Sequence, residues 1–395
     1  MSASGISPSE RTHSMDLTNL LRGTLMAPLL AAGLEAQSPP PVCPGAAWHA
    51  VPVPTAAANL RGAIESARDT SWIQLGRDTF LLNEWVSVKL ENKRCLRITG
   101  EGSATVIRLG PAVSEGIRIS DNVTGLEISG LTMMGTLEAL DTANVHAIVA
   151  RDSARGIRHV VLRDLEIRDM NVGIIVGAGA AGEFDSVWVA GNDIHDMRGS
   201  NAPRGYGIQN IDATNIWITG NRVADTDRHS IYQARGHLNI TIEGNLILNH
   251  ARKATDRDWT HVALVVARSS NVVVAQNSIV NSYTAAISIE QDEMALQWPV
   301  TNVLLIGNTI LGSRHHDIWL NAPGRFASWG NRIIRSGGNR QKSIRADQGR
   351  LESFRSGQDL QGAVVWNGQL YLLENDCHRT FDPGTGRLTT PDCPR

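Results

Sequence analysis

A repeat that returns every few dozen residues constrains this chain most. Asn192, Asn221, Asn245, Asn277, Asn308 and Asn331 each close a short β-branched run, at spacings of 29, 24, 32, 31 and 23. In each copy a second apolar run follows the corner, and the pattern extends back to about Leu96. Units of this size cannot bury an apolar face alone and must stack on their neighbours, so the chain is expected to be a solenoid.

The runs are strands. Asn215-Ile216-Trp217-Ile218-Thr219-Gly220-Asn221, Leu238 to Asn245, Asn271 to Asn277 and Asn302 to Asn308 all read strand, corner, strand. Alternation of period 2 sends one set of side chains into the coil and the other outward. Gly and Asn tolerate the left-handed backbone of a tight corner, and Asn side chains can hydrogen-bond from one rung to the next. Over roughly Trp72 to Asn331 the pattern resembles the right-handed parallel β-helix of the pectate-lyase-like superfamily. The expected class is all-β: a single-stranded right-handed parallel β-helix with an N-terminal capping helix and a C-terminal cap. That fold hosts lyases, epimerases, hydrolases and adhesins, so function must be read from the outer wall.

A net charge of −2 gives no global attraction to nucleic acid. From Met15, Arg22 precedes the apolar stretch Leu25 to Ala32, Leu34-Glu35-Ala36 offers a cleavage site, and Pro39-Pro40-Pro41 reads as a linker. The apolar stretch is too short to span a bilayer, so membrane insertion is not expected. Cys43, Cys95, Cys377 and Cys393 fit two disulfides with three possible connectivities, of which Cys43 with Cys95 and Cys377 with Cys393 closes each end locally. A periplasmic or secreted monomer follows. The organisation expected is leader and linker over 1–45, β-helix with its N-terminal cap over 46–340, and C-terminal cap and tail over 341–395. Leu60, Ile64 and Ala67 have helical spacing behind Thr55 as N-cap, and Val364 to Tyr371 reads as a hairpin turning on Asn367-Gly368.

Setting the rungs in register gives an inward column of Ile148, Ile174, Ile208, Ile231, Ala263, Ile287 and Ile318. Two positions earlier stand His146, Val172, Tyr206, His229, His261, Ala285 and His316; one position later stand Val149, Ile175, Gln209, Tyr232, Leu264, Ser288 and Trp319. Tyr206, His229 and His261 thus fall on successive rungs, with Tyr232 beside them and Asp227-Arg228 leading in. Strict alternation would turn the earlier column inward, so these residues are expected where the loop bends into the strand. The inserts Met197 to Arg204 and His250 to Thr260 bring Arg198, Arg204, Arg252, Lys253, Arg257 and Trp259 toward the same place.

Cations, imidazoles and phenols suit an anionic polysaccharide. β-Elimination on a uronic acid needs a group that neutralises the carboxylate, a base for the C5 proton and an acid for the leaving oxygen. His229 is the first choice as base and Tyr232 or Tyr206 as acid. Arg228, Arg235 or Gln209 would neutralise the carboxylate, His261 and Arg252 take supporting or alternative catalytic roles, and Arg252, Arg204, Trp259 and Arg257 support binding. Lys253 with Arg228 or Arg268 is an alternative base and acid pair. Asp225, Asp227, Asp256 and Asp258 could offer oxygen to Ca2+, but the chain has no EF-hand or nonapeptide pattern, and no metal site is assigned.

Tyr206-Gly207-Ile208, Asn215 to Asn221 and Arg228-His229-Ser230-Ile231 resemble consecutive coils of periplasmic mannuronan C5-epimerases and related alginate-active β-helices. The Asp-Pro-His-Asp signature of those epimerases is replaced here by Gln209-Asn210-Ile211-Asp212. The expectation is a polysaccharide lyase acting on an alginate-like uronan. A C5-epimerase, a glycoside hydrolase built on two of Asp212, Asp227, Glu290 and Asp292, and a non-catalytic glycan-binding coil are the alternatives.

Overall fold

The computed structural model describes residues 38–389 apart from 57–58, 137–144, 151–155, 178–183, 200–203, 212, 235–238, 251–260, 292–299, 323, 337–343, 347–348, 354–362, 367–368, 373–376 and 383–386. Ala36–Arg395 cluster as one unit. Each full coil contributes three strands, and equivalent strands of successive coils pair in parallel, giving three ladders around one core. One ladder carries the candidate site. It runs through Val86–Leu90, Glu115–Ile119, His146–Ala150, Val172–Val176, Tyr206–Ile211, His229–Ala234, Val262–Ala267, Ala285–Glu290, His316–Asn321 and Ile344–Ala346.

The asparagine corners form a continuous buried ladder. The backbone N–H and the side-chain Nδ2 of Asn221 both donate to Asn245 Oδ1 at 2.9 Å, and Asn245 donates in the same way to Asn277 at 3.0 and 2.9 Å. Each Nδ2 also reaches a main-chain carbonyl, as Asn245 does to Ile218 O at 2.8 Å. The pattern runs from Asn192 to Asn331. The left-handed backbone belongs to the residue before the asparagine, such as Gly220 at φ 63° and Gly244 at φ 64°. Glycine makes the bend at most corners, Gln276 at φ 53° does so before Asn277, and asparagine satisfies polar groups that would otherwise be stranded in the core.

The helix is short, Leu60–Glu65, and its N-cap is Asn59 rather than Thr55; Asn59 Oδ1 accepts from Gly62 N at 2.8 Å. Leu60, Ile64 and Ala67 are buried as the spacing required. Cys43 is bonded to Cys95, whereas Cys393 lies outside the described residues. Pro39-Pro40-Pro41 is not a free linker: the prolines line a cleft with Arg97, Glu127 and Arg163, and Val42 is buried against Val161 and Trp188. Trp188 stacks on Trp217 at 4.3 Å between ring centroids. At the other end, Ala363–Trp366 pairs antiparallel with Gln369–Leu372, forming the expected hairpin around turn residues that are not described. Parallel pairing continues past residue 340, through Ile344–Ala346, Gly349–Ser353 and Cys377–Asp382.

Candidate functional site

Two departures from simple strand geometry build the site. The first is a column of small residues immediately before the inward anchors: Gly116, Ala147, Gly173, Gly207, Ser230, Ala263 and Ala286. The ladder skips this column, pairing Tyr206 with His229 and then Ile208 with Ile231. Ala147, Ala263 and Ala286 lie in the main core. A Cβ on Gly207 would meet Val223 Cγ1 at 2.5 Å and Ser230 O at 2.6 Å, and one on Gly173 would meet Gly207 O at 2.6 Å. The small residue and the anchor therefore both face inward, in breach of strict alternation. The residue ahead of them is thrown outward, which is how Tyr206 and His229 reach the outer wall although they stand two positions before a core isoleucine.

The second departure is a register difference of one residue. Ile231 pairs with Leu264, and Leu264 with Ile287. Ala263 faces inward as the small residue and not as the anchor. Val262 therefore occupies the rung position next to His229, and His261, fully buried, is in line with Arg228 instead. The later outward column is corrected likewise to Gln209, Tyr232, Val265, Ser288 and Trp319.

Three rings converge. Tyr206 and His229 have centroids 5.1 Å apart, His229 and Tyr232 are stacked at 5.3 Å, and Tyr232 meets Tyr206 edge-on at 5.6 Å. The Arg228 guanidinium lies over the Tyr206 ring, 5.4 Å from its centroid. Its Nε is buried with no hydrogen-bond partner among the described residues. His229 Nδ1 is 2.8 Å from Val262 O and 3.3 Å from Val262 N. One nitrogen cannot serve both, and the shorter contact assigns Nδ1–H as donor to the carbonyl, which leaves Nε2 with the lone pair.

Electrostatics fix the protonation states. Burial is the main cause holding His229 well below its ordinary 6.5, against the Val262 hydrogen bond, while Arg228, His250 and His261 add repulsion. Burial pushes the Tyr206 phenol up to about 12, moderated by Arg228 and assisted by Tyr232 and Glu290. At neutral pH the site holds a neutral imidazole beside a protonated phenol.

His250 and Glu290 complete the neighbourhood. His250 Nε2 donates to Arg228 O, its Nδ1 accepts from Tyr283 N at 3.4 Å, and burial lowers its pKa to about 3. Its position at the foot of an insert was the only sequence signal. Glu290 ends the strand two rungs beyond His229; burial raises its carboxyl, against a Ser288 hydrogen bond and Arg228. Asp227 is engaged elsewhere, accepting from Gly199 N at 3.0 Å and facing Arg198. Beneath the rings, the inward Asn210 donates to Gln233, and Gln233 to Ser269 at 3.2 Å, a buried polar ladder.

Gln209 is buried beside Tyr232 in the adjacent outward position. Arg204 is half-buried at the strand mouth on the Tyr206 rung. Arg268 is not gathered with Arg228: it sits past the far end of Val262–Ala267, where its N–H bonds Glu290 O at 3.2 Å. Arg235, Arg252, Lys253, Arg257, Trp259, Asp212, Asp256, Asp258 and Asp292 lie outside the described residues. Among the described residues no cluster of His, Cys, Asp and Glu could hold a metal.

The ladders, the core and this outer wall define a right-handed parallel β-helix. The family described as the right handed beta helix region matches residues 115–310, and no curated protein matches the sequence. Among solved structures, an alginate lyase from Paenibacillus sp. str. FPU-7 superposes with a TM-score of 0.57 at 16% identity, covering 76% of this chain and 98% of that one. A DFA-IIIase from Arthrobacter chlorophenolicus A6 gives 0.41 at 13% identity, over 82% and 86%. The A-module of an Azotobacter vinelandii mannuronan C-5 epimerase gives 0.39 at 13%, over 74% and 89%. The chain is similar to these proteins in its coil.

Proposed function

We propose that the chain is a carbohydrate-active enzyme, and specifically a lyase that cleaves an anionic uronic-acid polysaccharide by β-elimination. The observation that carries this reading is the tautomer and company of His229. Its Nε2 is left as acceptor, Tyr206 is within ring contact, and the Arg228 guanidinium lies over the Tyr206 ring. The alginate lyase named above shares the coil and supports the choice of polymer class.

Arg228 holds the uronate carboxylate, which makes the adjacent C5–H acidic. His229 Nε2 takes that proton, the C4–C5 double bond forms, and the C4–O bond breaks. The departing oxygen receives the Tyr206 phenolic proton. Solvent then returns a proton to Tyr206 and removes one from His229. An anionic substrate also offsets the smaller repulsion that Arg228, His250 and His261 add to the burial of His229. The Cys43–Cys95 bond and the leader-like N-terminus support action in the periplasm or outside the cell.

Glu290, whose carboxyl burial raises above its ordinary range, favours hydrolysis as a second reading. Hydrolysis would need a second carboxylate across the site, and Asp227 is already engaged. Incubation with alginate, glucuronan, pectate and hyaluronan separates the two. The lyase reading expects new reducing ends together with ultraviolet absorbance from an unsaturated uronate. Reducing ends without absorbance would establish hydrolysis, and inversion at C5 without cleavage would establish epimerisation.

A further inference from the structure

The mouth of the chemical face carries a second group of side chains that the reaction does not use. Tyr283 and Arg314 occupy equivalent positions on successive rungs, four residues before the anchors Ile287 and Ile318. The exposed Arg314 guanidinium lies over the Tyr283 ring at 4.9 Å, and His315 meets the same ring edge-on at 5.4 Å. Main-chain bonds from Arg314 N to Ser282 O and from His315 N to Tyr283 O, at 3.0 and 3.2 Å, fix the segment on the ladder. On the outer wall of the same rung Trp319 is half-buried, packed on the apolar patch of Val262, Val265 and Ala285 that also contacts Tyr232. An apolar surface thus links Tyr232 with Trp319.

Distance along the coil gives the arrangement its meaning. Ile231, Leu264, Ile287 and Ile318 are consecutive rungs, so Arg314 stands three rungs from Arg228, about 14 Å at a strand spacing of about 4.8 Å. One rung step is close to the length of one pyranose in an extended 1,4-linked chain. A polymer lying along the coil axis would bring a carboxylate opposite Arg314 three sugars after the one held by Arg228. A fixed guanidinium on an aromatic face suits a carboxylate, and Trp319 suits a sugar ring.

We propose that Arg314, with Tyr283 and Trp319, forms a distal subsite for a uronate three sugars from the reacting one. The groove then follows the coil axis, and its ligand is an acidic oligosaccharide of at least four residues. This rests on the polysaccharide reading above. The test compares wild type with Arg314→Ala and Arg314→Lys across a size series of the cleaved uronan. Loss of about tenfold or more in kcat/KM, carried by KM, is expected for oligomers that reach the fourth sugar and for polymer, with a change of less than about twofold on shorter ones and partial recovery in Arg314→Lys. Equal loss at every length, or none on polymer, overturns it. Affinity electrophoresis against alginate and against its carboxyl-reduced form separates the two claims. Retardation by alginate alone that weakens in Arg314→Ala supports the subsite even where the wild type proves inactive, while identical retardation of wild type and variant contradicts it.

Discussion

At the scale of single residues, burial sets the protonation states of the proposed site. Burial keeps His229 neutral and Tyr206 protonated, which are the states a base and an acid require. His229→Ala is expected to lower turnover by about 10²-fold or more, and Tyr206→Phe by a similar factor with the fold retained, as read by steady-state rates and circular dichroism. Because the folded pKa of His229 is depressed, the free enzyme should show no fall in kcat/KM centred on 6.5; the acid limb belongs well below it. A limb at 6.5 would mean a solvent-exposed imidazole. The same depression links to stability. Below 6.5 the unfolded state binds protons that buried His229 and His250 refuse, so stability is complete above 6.5. It is lost as pH falls toward about 3, the His250 value, at about 1.4 kcal/mol per pH unit for each histidine. Denaturant titrations at stepped pH check the slope, and His250→Asn should reduce it. Tyr206 and His229 were legible in the sequence because aromatic and imidazole side chains recurred two positions before the anchors, and Tyr232 because it stands one position after the anchor on the His229 rung. Glu290 was visible only as a carboxylate, since its part in the site depends on burial.

At the scale of the strand and its corner, the asparagine ladder and the small-residue column set the geometry. Asn245→Ala would strand Asn221 N, Asn221 Nδ2 and Ile218 O inside the core, at a cost of roughly 2–5 kcal/mol measured by urea unfolding. Wild-type stability in that variant would mean that water replaces the ladder. Gly207→Ala should cost about 1–3 kcal/mol by overpacking against Val223 and Ser230, and should lower activity by shifting Tyr206. The repeat announced the ladder because Gly-Asn corners serve one bend and one hydrogen-bond chain. It could not announce the inward pair, because period 2 is the rule that pair breaks. Nor could it place His261: Ala263 and Leu264 are both apolar, and the insert before them has no length that decides which is the anchor. Pairing with Ile231 decides it for Leu264.

At the scale of the whole coil, one wall aligns residues far apart in sequence. Ile231→Asp would bury an unpaired charge in the continuous core and should abolish folding. At the N-terminal end the prolines and Val42 cover an outer aromatic patch, held by the Cys43–Cys95 bond. Reduction should therefore expose residues 38–48 to limited proteolysis before any central coil is cut; first cleavage between Asn192 and Asn331 would contradict this order. Composition suggested a linker there because prolines before a domain usually are one, and only the apolar outer face explains why these pack. The whole account depends on one wall presenting a neutral imidazole and a phenol to the same uronate. The most direct measurement is the rate of unsaturated-product absorbance on the cleaved polymer, wild type against folded His229→Ala. A loss of about 10²-fold or more is predicted; an unchanged rate would remove His229 from the chemistry and contradict the account.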